Sequence, residues 1–217
     1  MSGRHALMWS GGKDSALALH RVRAAGIEVA RLINFYDAAT GRVRFHATRV
    51  EMVQAQATAA GIELQAIGTS WPDMEARLAD ELAKLRSESF RGVVLGDIHL
   101  ADVRAWYEDR VTAAGLEHIE PIWGEPPADL VREFVETGGR AVVTCVDLTR
   151  LHPSWLGRTI DERFVDEIAA TGVDPCGENG EYHSFAFEGP MFAHAVGWRP
   201  GELRCEARFS QLDVVPP

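Results

Sequence analysis

Several features that would place this chain in a large protein class are scarce or missing. Its 217 residues contain no apolar stretch long enough to cross a bilayer as a helix, and no basic N-terminal segment leads into a long apolar run. Neither a membrane span nor a secretory signal is therefore expected, and the cytoplasm is the expected compartment. Cysteine is rare: Cys145, Cys176 and Cys205 lie far apart with no C-x-x-C pair, and the odd count of 3 suits reduced, buried thiols better than a disulfide frame or a zinc site. Positive charge is also short, with 22 Lys and Arg against 32 Asp and Glu for a net charge of −10. No dense Lys/Arg block appears, which argues against a long nucleic-acid footprint. A polyanionic ligand would need positive potential concentrated locally and shared with Mg²⁺.

What is present is a globular composition, 46% hydrophobic, sufficient for a sizeable core. Apolar runs predict strands at 5–9, 28–36, 62–68, 91–96, 118–123 and 140–147, alternating with helices at 14–25, 48–60, 73–88, 100–114 and 126–137. Gly26, Gly61, Gly115 and Gly138 each follow a helix, where a left-handed residue ends it cheaply. Such alternation predicts an α/β fold with a doubly wound, mostly parallel sheet, whose ligand crevice lies beyond the carboxyl ends of the strands. After about residue 148 the alternation stops, Pro and Gly accumulate from Pro153 to Gly180, one clear helix remains at 161–170, and Leu203 to Val215 alternates as a single strand. The expected division is a nucleotide-binding domain over 1–124 and a smaller C-terminal α+β substrate lobe over 125–217, packed tightly on the first.

The most informative segment is Ser10-Gly11-Gly12-Lys13-Asp14-Ser15, set between the apolar run Ala6 to Trp9 and the helical stripe Ala16, Leu17, Leu19, Val22. Two glycines let backbone N–H groups converge on an anion, the helix N-terminus adds partial positive charge, and Lys13 adds a full one. Lys13 is followed by Asp14 rather than Ser or Thr, so this is not a Walker A loop. Ser15 is placed to donate to phosphate, and Asp14 to position Mg²⁺ or orient the turn.

A second constellation is Cys176-Gly177-Glu178-Asn179-Gly180-Glu181-Tyr182-His183-Ser184. Asn-Gly is a strong hairpin signal; with Asn179-Gly180 as the turn, Glu178 and Glu181 become an opposed pair and His183 shares their face. Opposed carboxylates cost up to about 1 kcal/mol unless a cation lies between them. They suit the capture and deprotonation of ammonium, with His183 assisting or orienting a substrate oxygen. Elsewhere, Gly96-Asp97 ends a strand where Asp97 either meets Mg²⁺, ribose or substrate, or caps the next helix. Asn34, Tyr36 and Asp37 end the second strand where a base or ribose meets the sheet, His46 arrives near the same crevice, and Thr48 is read as a helix cap. Tyr107 and Arg110 share one stripe of the helix at 100–114, facing either the crevice or the surface.

With these residues assembled, the chain resembles the diphthine–ammonia ligase family of PP-loop ATP pyrophosphatases, which are adenine nucleotide alpha-hydrolase-like. The likeness rests on the turn at 10–15, Gly96-Asp97-Ile98, Pro121-Ile122-Trp123, Leu156-Gly157-Arg158 and, most specifically, Gly177 to Ser184. The resemblance implies a HUP/PP-loop fold and ATP-dependent amidation of the carboxylate of diphthine, a modified histidine on translation elongation factor 2, with release of AMP and pyrophosphate. It implies that Ser10 to Ser15 hold the pyrophosphate end of ATP; on the residues alone, Asn34, Gly96 and Asp97 are expected beside the nucleotide and Asp14 at Mg²⁺. Lys13, Asp14, Glu178, Glu181 and His183 would carry catalysis. The expected partners are ATP, ammonia and a carboxylate acceptor, with no membrane or nucleic acid; a homodimer is allowed. Two alternatives stay open: a tRNA-modifying PP-loop enzyme delivering sulfur from Cys145 or Cys176, and a non-catalytic adenine-nucleotide sensor.

Overall fold

The computed structural model describes residues 3–44, 46–70 and 72–217. The chain runs β1 (His5–Met8), α1 (Lys13–Ala24), β2 (Val29–Asp37), β3 (Arg42–Val43), α2 (Val50–Ala60), β4 (Glu63–Thr69), α3 (Met74–Ser87), β5 (Gly92–Val94), α4 (Ala101–Ala113) and β6 (Glu117–Ile119). It continues with α5 (Pro127–Glu136), β7 (Arg140–Asp147), a 3-10 turn at Pro153–Trp155, β8 (Thr159–Ile160), α6 (Glu162–Ala169), β9 (Tyr182–Glu188), β10 (Arg199–Glu206) and β11 (Phe209–Val215).

Parallel pairing of β4 with β2, β2 with β1, β1 with β5 and β5 with β6 gives the order β4-β2-β1-β5-β6, and β3 adds antiparallel to the end of β2. The chain winds outward from β1 toward β2 on one side and from β5 toward β6 on the other. The switch therefore falls between β1 and β5, so that their carboxyl ends, Trp9-Ser10 and Leu95-Gly96, border the crevice expected of a doubly wound sheet. This is the doubly wound, mostly parallel α/β sheet that the alternating pattern predicts. Both sheet faces are covered: Leu7 and Leu32 pack toward α1 and α2, while Ala6, Ile33 and Val93 pack with Leu78, Leu82 and Leu85 of α3. The buried cluster of Leu7 and Leu32 runs on without a break to Val142 and Phe185 of the second sheet and Phe164 of α6. Each such fully buried side chain contributes about 1.5–3 kcal/mol.

The second sheet departs from expectation. The run at 140–147 is not a further parallel strand; β7 is the centre of an antiparallel sheet, pairing with β9 on one side and with β8 and β11 on the other. A continuous apolar run reports burial on both faces and is silent on the direction of its neighbours. The segment read as one strand from Leu203 is a hairpin of β10 and β11. Its turn at Ala207-Arg208 escaped notice because the positive φ of 50° is taken by Ala207, without the usual Gly or Asn. Asn179-Gly180 do not close a hairpin either. Gly180 N–H donates to Gly177 O at 3.0 Å, so Glu178 and Asn179 are the centre of the turn, and β9 starts only at Tyr182. The turn lies one residue earlier than a two-residue Asn-Gly hairpin requires, which removes the opposition of Glu178 and Glu181. Thr48 is buried and does not cap α2, whose N-cap is Arg49.

Candidate active site

The carboxyl ends of β1, β2 and β5, the first turn of α1, the inner face of α4 and the loop before β9 enclose a cleft of about 640 Å³. Its lining combines apolar Met8, Ile33, Phe35, Leu95 and Met74 with polar Ser10, Lys13, Asp14, Asp97, Glu178 and His183. Such a lining matches a ligand with a flat apolar body and a charged tail.

The turn between β1 and α1 is tightly specified. Gly11 takes a φ of 81°, open to glycine at no steric cost. Gly12 N–H donates to Ser10 Oγ at 3.2 Å, Ser15 Oγ donates to Gly12 O at 3.0 Å, and the two hydroxyls lie 3.3 Å apart. Gly96 allows β5 to end directly against this turn, since a Cβ there would lie 3.1 Å from Ser15 N.

Lys13 is only 3% exposed and belongs to both lobes. Its Nζ donates to Asp14 Oδ2 at 2.9 Å and to the Cys176 carbonyl, and it lies 4.9 Å above the Tyr182 ring, while its backbone N–H donates to Ser184 Oγ at 3.2 Å. Burial works against the charge, but Asp14 and the electron-rich neighbours outweigh it and hold the ammonium well above its usual pKa. Lys13 is therefore a permanent cation joining the turn to the loop at 176, as well as a wall of the cleft.

Opposite it is a surplus of carboxylates. Burial, then the charge of Asp14, pushes Asp97 up to about 6. The same two causes push Glu178 up to about 7, although its Oε1 accepts from Ile98 N–H at 3.0 Å. Glu120, behind them, is pushed to about 7 by burial and then by Asp97, with Arg104 Nε 3.0 Å from its Oε2. Asp97 is not a cap for α4, whose N-cap is Leu100. Among the described residues no three His, Cys, Asp or Glu side chains form a ready metal cage.

The rings of His46 and His183 lie 4.7 Å apart, and His46 Nδ1 is 3.1 Å from Ser184 O. Burial lowers both; for His183, pushed well below its usual value, His46 and Lys13 add to the effect. A neutral imidazole here can hold a substrate oxygen but is a weak proton acceptor. Asn34 lines the cleft with its Nδ2 donating to Trp9 O at 2.7 Å. Tyr107 lines it too, its hydroxyl pushed to about 12 by burial and Asp97, whereas Arg110 turns away to Glu75 at 2.5 Å.

The structure thus brings Ser10, Lys13, Asp14, Ser15, Asn34, Gly96, Asp97, Glu178 and His183 to one cleft, with Gly11 and Gly12 forming the turn beneath. Glu181 is not among them. It is 0% exposed and anchors its own loop, 3.2 Å from Arg150 and 3.4 Å from Asp174 N–H. Sequence reasoning passed over Glu120 and Gln56, and included Ser184 in the segment 177–184 without giving it a role. Gln56 carried a signal of its own, as a polar residue on the apolar stripe of α2 beside Met52, Val53 and Ala60.

Comparison with known proteins addresses both sides of the cleft. The family model of the diphthamide synthase N-terminal domain matches residues 3–118, and that of the diphthamide synthase C-terminal domain matches 126–206. The human protein named diphthine–ammonia ligase is 26% identical over 218 residues, spanning 89% of this chain and 82% of that protein, and its Rattus norvegicus counterpart gives the same figures. A solved structure, the U34-tRNA thiolase NcsA from Methanococcus maripaludis with its [4Fe-4S] cluster, aligns with TM-score 0.41 and 16% identity over 62% of this chain and 57% of that one. No helix among the described residues is long and apolar enough to cross a membrane. With matches that take in the glycine turn at 10–15, Gly96-Asp97 and the loop of Glu178 alike, the chain belongs to the diphthamide synthase family.

Proposed function

We propose that this protein is an ATP-dependent amide ligase: it adenylates a carboxylate, transfers ammonia to the acyl adenylate, and releases AMP and pyrophosphate. The observation that carries this is the joining, in one cleft, of a glycine turn at a helix N-terminus with the half-buried carboxyls of Asp97 and Glu178, both raised by desolvation and then by Asp14. The names of the relatives, diphthine–ammonia ligase, support a diphthine-like carboxylate as acceptor.

The nucleotide lies with its base against Met8, Ile33 and Phe35 and its ribose beside Asn34 and Gly96. Its β- and γ-phosphates meet the N–H groups of the turn, Ser10 and Ser15. The acceptor carboxylate oxygen attacks the α-phosphorus, and the bond to the bridging oxygen of pyrophosphate breaks. Lys13 and the helix N-terminus offset charge developing on the departing pyrophosphate. Asp14 and Asp97 would hold Mg²⁺, an ion that takes one or two carboxylates plus phosphate oxygens rather than a full protein cage, and the charge of Asp14 adds to the burial that makes Asp97 costly to ionise. When bound it neutralises phosphate charge. Glu178 takes a proton from ammonium; the freed nitrogen attacks the acyl carbon, and AMP leaves. His46 and His183, neutral, hold the acceptor. Residues 1–124 would bind the nucleotide, and 125–217 would supply the amidation side.

Sulfur delivery would need a thiolate at the cleft. Burial pushes Cys176 far above the thiolate range and Cys145 up to about 11. The test is product analysis with ATP, Mg²⁺, ammonium and elongation factor 2 carrying diphthine: AMP, pyrophosphate and an amide in equal amounts are expected. ADP as product contradicts the proposal, and tight nucleotide binding without turnover favours a sensor.

A further inference from the structure

The Gly11–Gly12 peptide is gripped from behind, on the side facing away from the cleft. Gln56 reaches it from α2 with no exposed surface, and its whole amide is engaged. Oε1 accepts from the Trp9 indole N–H at 3.0 Å, and Nε2 donates to the carbonyls of Gly11 at 2.8 Å and Ala186 at 2.6 Å. Those partners fix which end is oxygen, because a flipped amide would set its oxygen against two carbonyls and its NH₂ against an indole N–H. Ala186 N–H adds a second bond to Gly11 O at 2.8 Å. A buried amide in an apolar stripe is costly unless each group is paired, and here each is.

The consequence follows from peptide geometry. The carbonyl of Gly11 and the N–H of Gly12 share one planar trans unit and point in opposite directions. Two donors holding Gly11 O inward therefore also hold Gly12 N–H outward, where it meets Ser10 Oγ at 3.2 Å in the cleft wall. Released, a Gly-Gly peptide can rotate at little steric cost and turn its carbonyl, which repels phosphate oxygens, toward the cleft.

We infer that Gln56 is a positioning residue for the anion-binding turn: it sets which face of the Gly11–Gly12 peptide meets the nucleotide phosphates, and through Ala186 it ties that choice to β9, the strand of His183 and Ser184. The inference rests on the nucleotide-binding proposal above and deepens it by naming the side chain that orients the phosphate contact.

The test is calorimetric titration of ATP, inorganic pyrophosphate and adenosine into wild type, Gln56→Glu and Gln56→Met. Glutamate keeps the shape and the acceptor for Trp9 but lacks the amide donors; methionine keeps only the volume. The Kd for ATP and for pyrophosphate should rise about tenfold or more, the worth of losing one bond to a charged group, while that for adenosine stays within about twofold. A side chain that merely fills the core would move all three ligands alike or none, and either outcome overturns the inference. If both variants fail to fold, Trp9→Phe removes the indole donor that aligns the amide, and the same split with a smaller rise, about threefold, is expected; equal shifts for adenosine and ATP overturn it. Wild type that binds neither ATP nor pyrophosphate overturns the nucleotide proposal and this inference together, whereas wild-type binding with unchanged variants overturns this inference alone.

Discussion

The turn at Ser10–Ser15 and the loop at Asp174–Ser184 face one another across the cleft but are built on opposite terms. In the turn, polar groups answer each other: Ser10 with Gly12, Ser15 with Gly12 O, and Gly11 O with both Gln56 and Ala186. In the loop, Glu178 is half-buried near Asp14 and Asp97, and desolvation, then the negative charge of Asp14, raises its pKa to about 7. The turn is internally satisfied, whereas the loop carries half-buried acidic groups against Asp14 and Asp97. Lys13 belongs to both, which explains why a cation so deeply buried stays charged.

The strongest way to break this contrast is Lys13→Ala. It removes the fixed cation, leaves the Cys176 carbonyl without its donor, and should cut adenylation by about 10²–10³-fold, measured as AMP release. A loss below tenfold would deny Lys13 a place at the phosphates.

Glu178→Gln comes next, with amidation falling about 10²-fold while ATP binding persists. Because the group must be ionised to take a proton, and burial with Asp14 sets its pKa at about 7, wild-type amidation should climb as pH rises through that value and then level off. The variant should lose this inflection. An unchanged pH profile would assign proton transfer elsewhere.

Glu181→Gln separates the hairpin pairing of Glu178 with Glu181 from the observed loop. Paired carboxylates would make the two substitutions alike in chemistry. A loop anchor instead predicts a stability loss of about 1–3 kcal/mol by denaturant titration, with turnover at saturating substrate nearly intact. The smallest effect belongs to Cys176→Ser. Its Sγ donates to Pro127 O at 3.2 Å and a hydroxyl can do the same, so activity should stay within about twofold. A collapse of activity would revive sulfur chemistry.

The same contrast explains what could be read in advance. Strand, turn and helix at 5–24 are contiguous, so apolar period, paired glycines and helix stripe predicted both the elements and the site they form. The helices at 48–60, 73–88 and 100–114 were legible for the same reason, and each is found within two residues of its expected ends. The loop before β9 depends on tertiary contacts. Glu178 is placed by Ile98 N–H and Glu181 by Arg150 and Asp174, partners invisible to any local pattern, and the Asn-Gly signal gave the right kind of feature in the wrong register. Glu120 was out of reach because its significance comes only from standing behind Asp97. His46 meets the ring of His183 across a long stretch of chain, so only its arrival near the crevice could be anticipated.

The central claim is that the turn of α1 holds the β- and γ-phosphates so that the α-phosphorus faces Asp97 and Glu178. The most direct measurement is a crystal structure with Mg²⁺ and α,β-methylene-ATP, which cannot be cleaved at the bond in question. The expected result places terminal phosphate oxygens within hydrogen-bond distance of Gly12 N–H and Ser15 Oγ, with the α-phosphate turned toward the acidic wall. Terminal phosphates seated away from residues 10–15, or an α-phosphate pointing out to solvent, would contradict it.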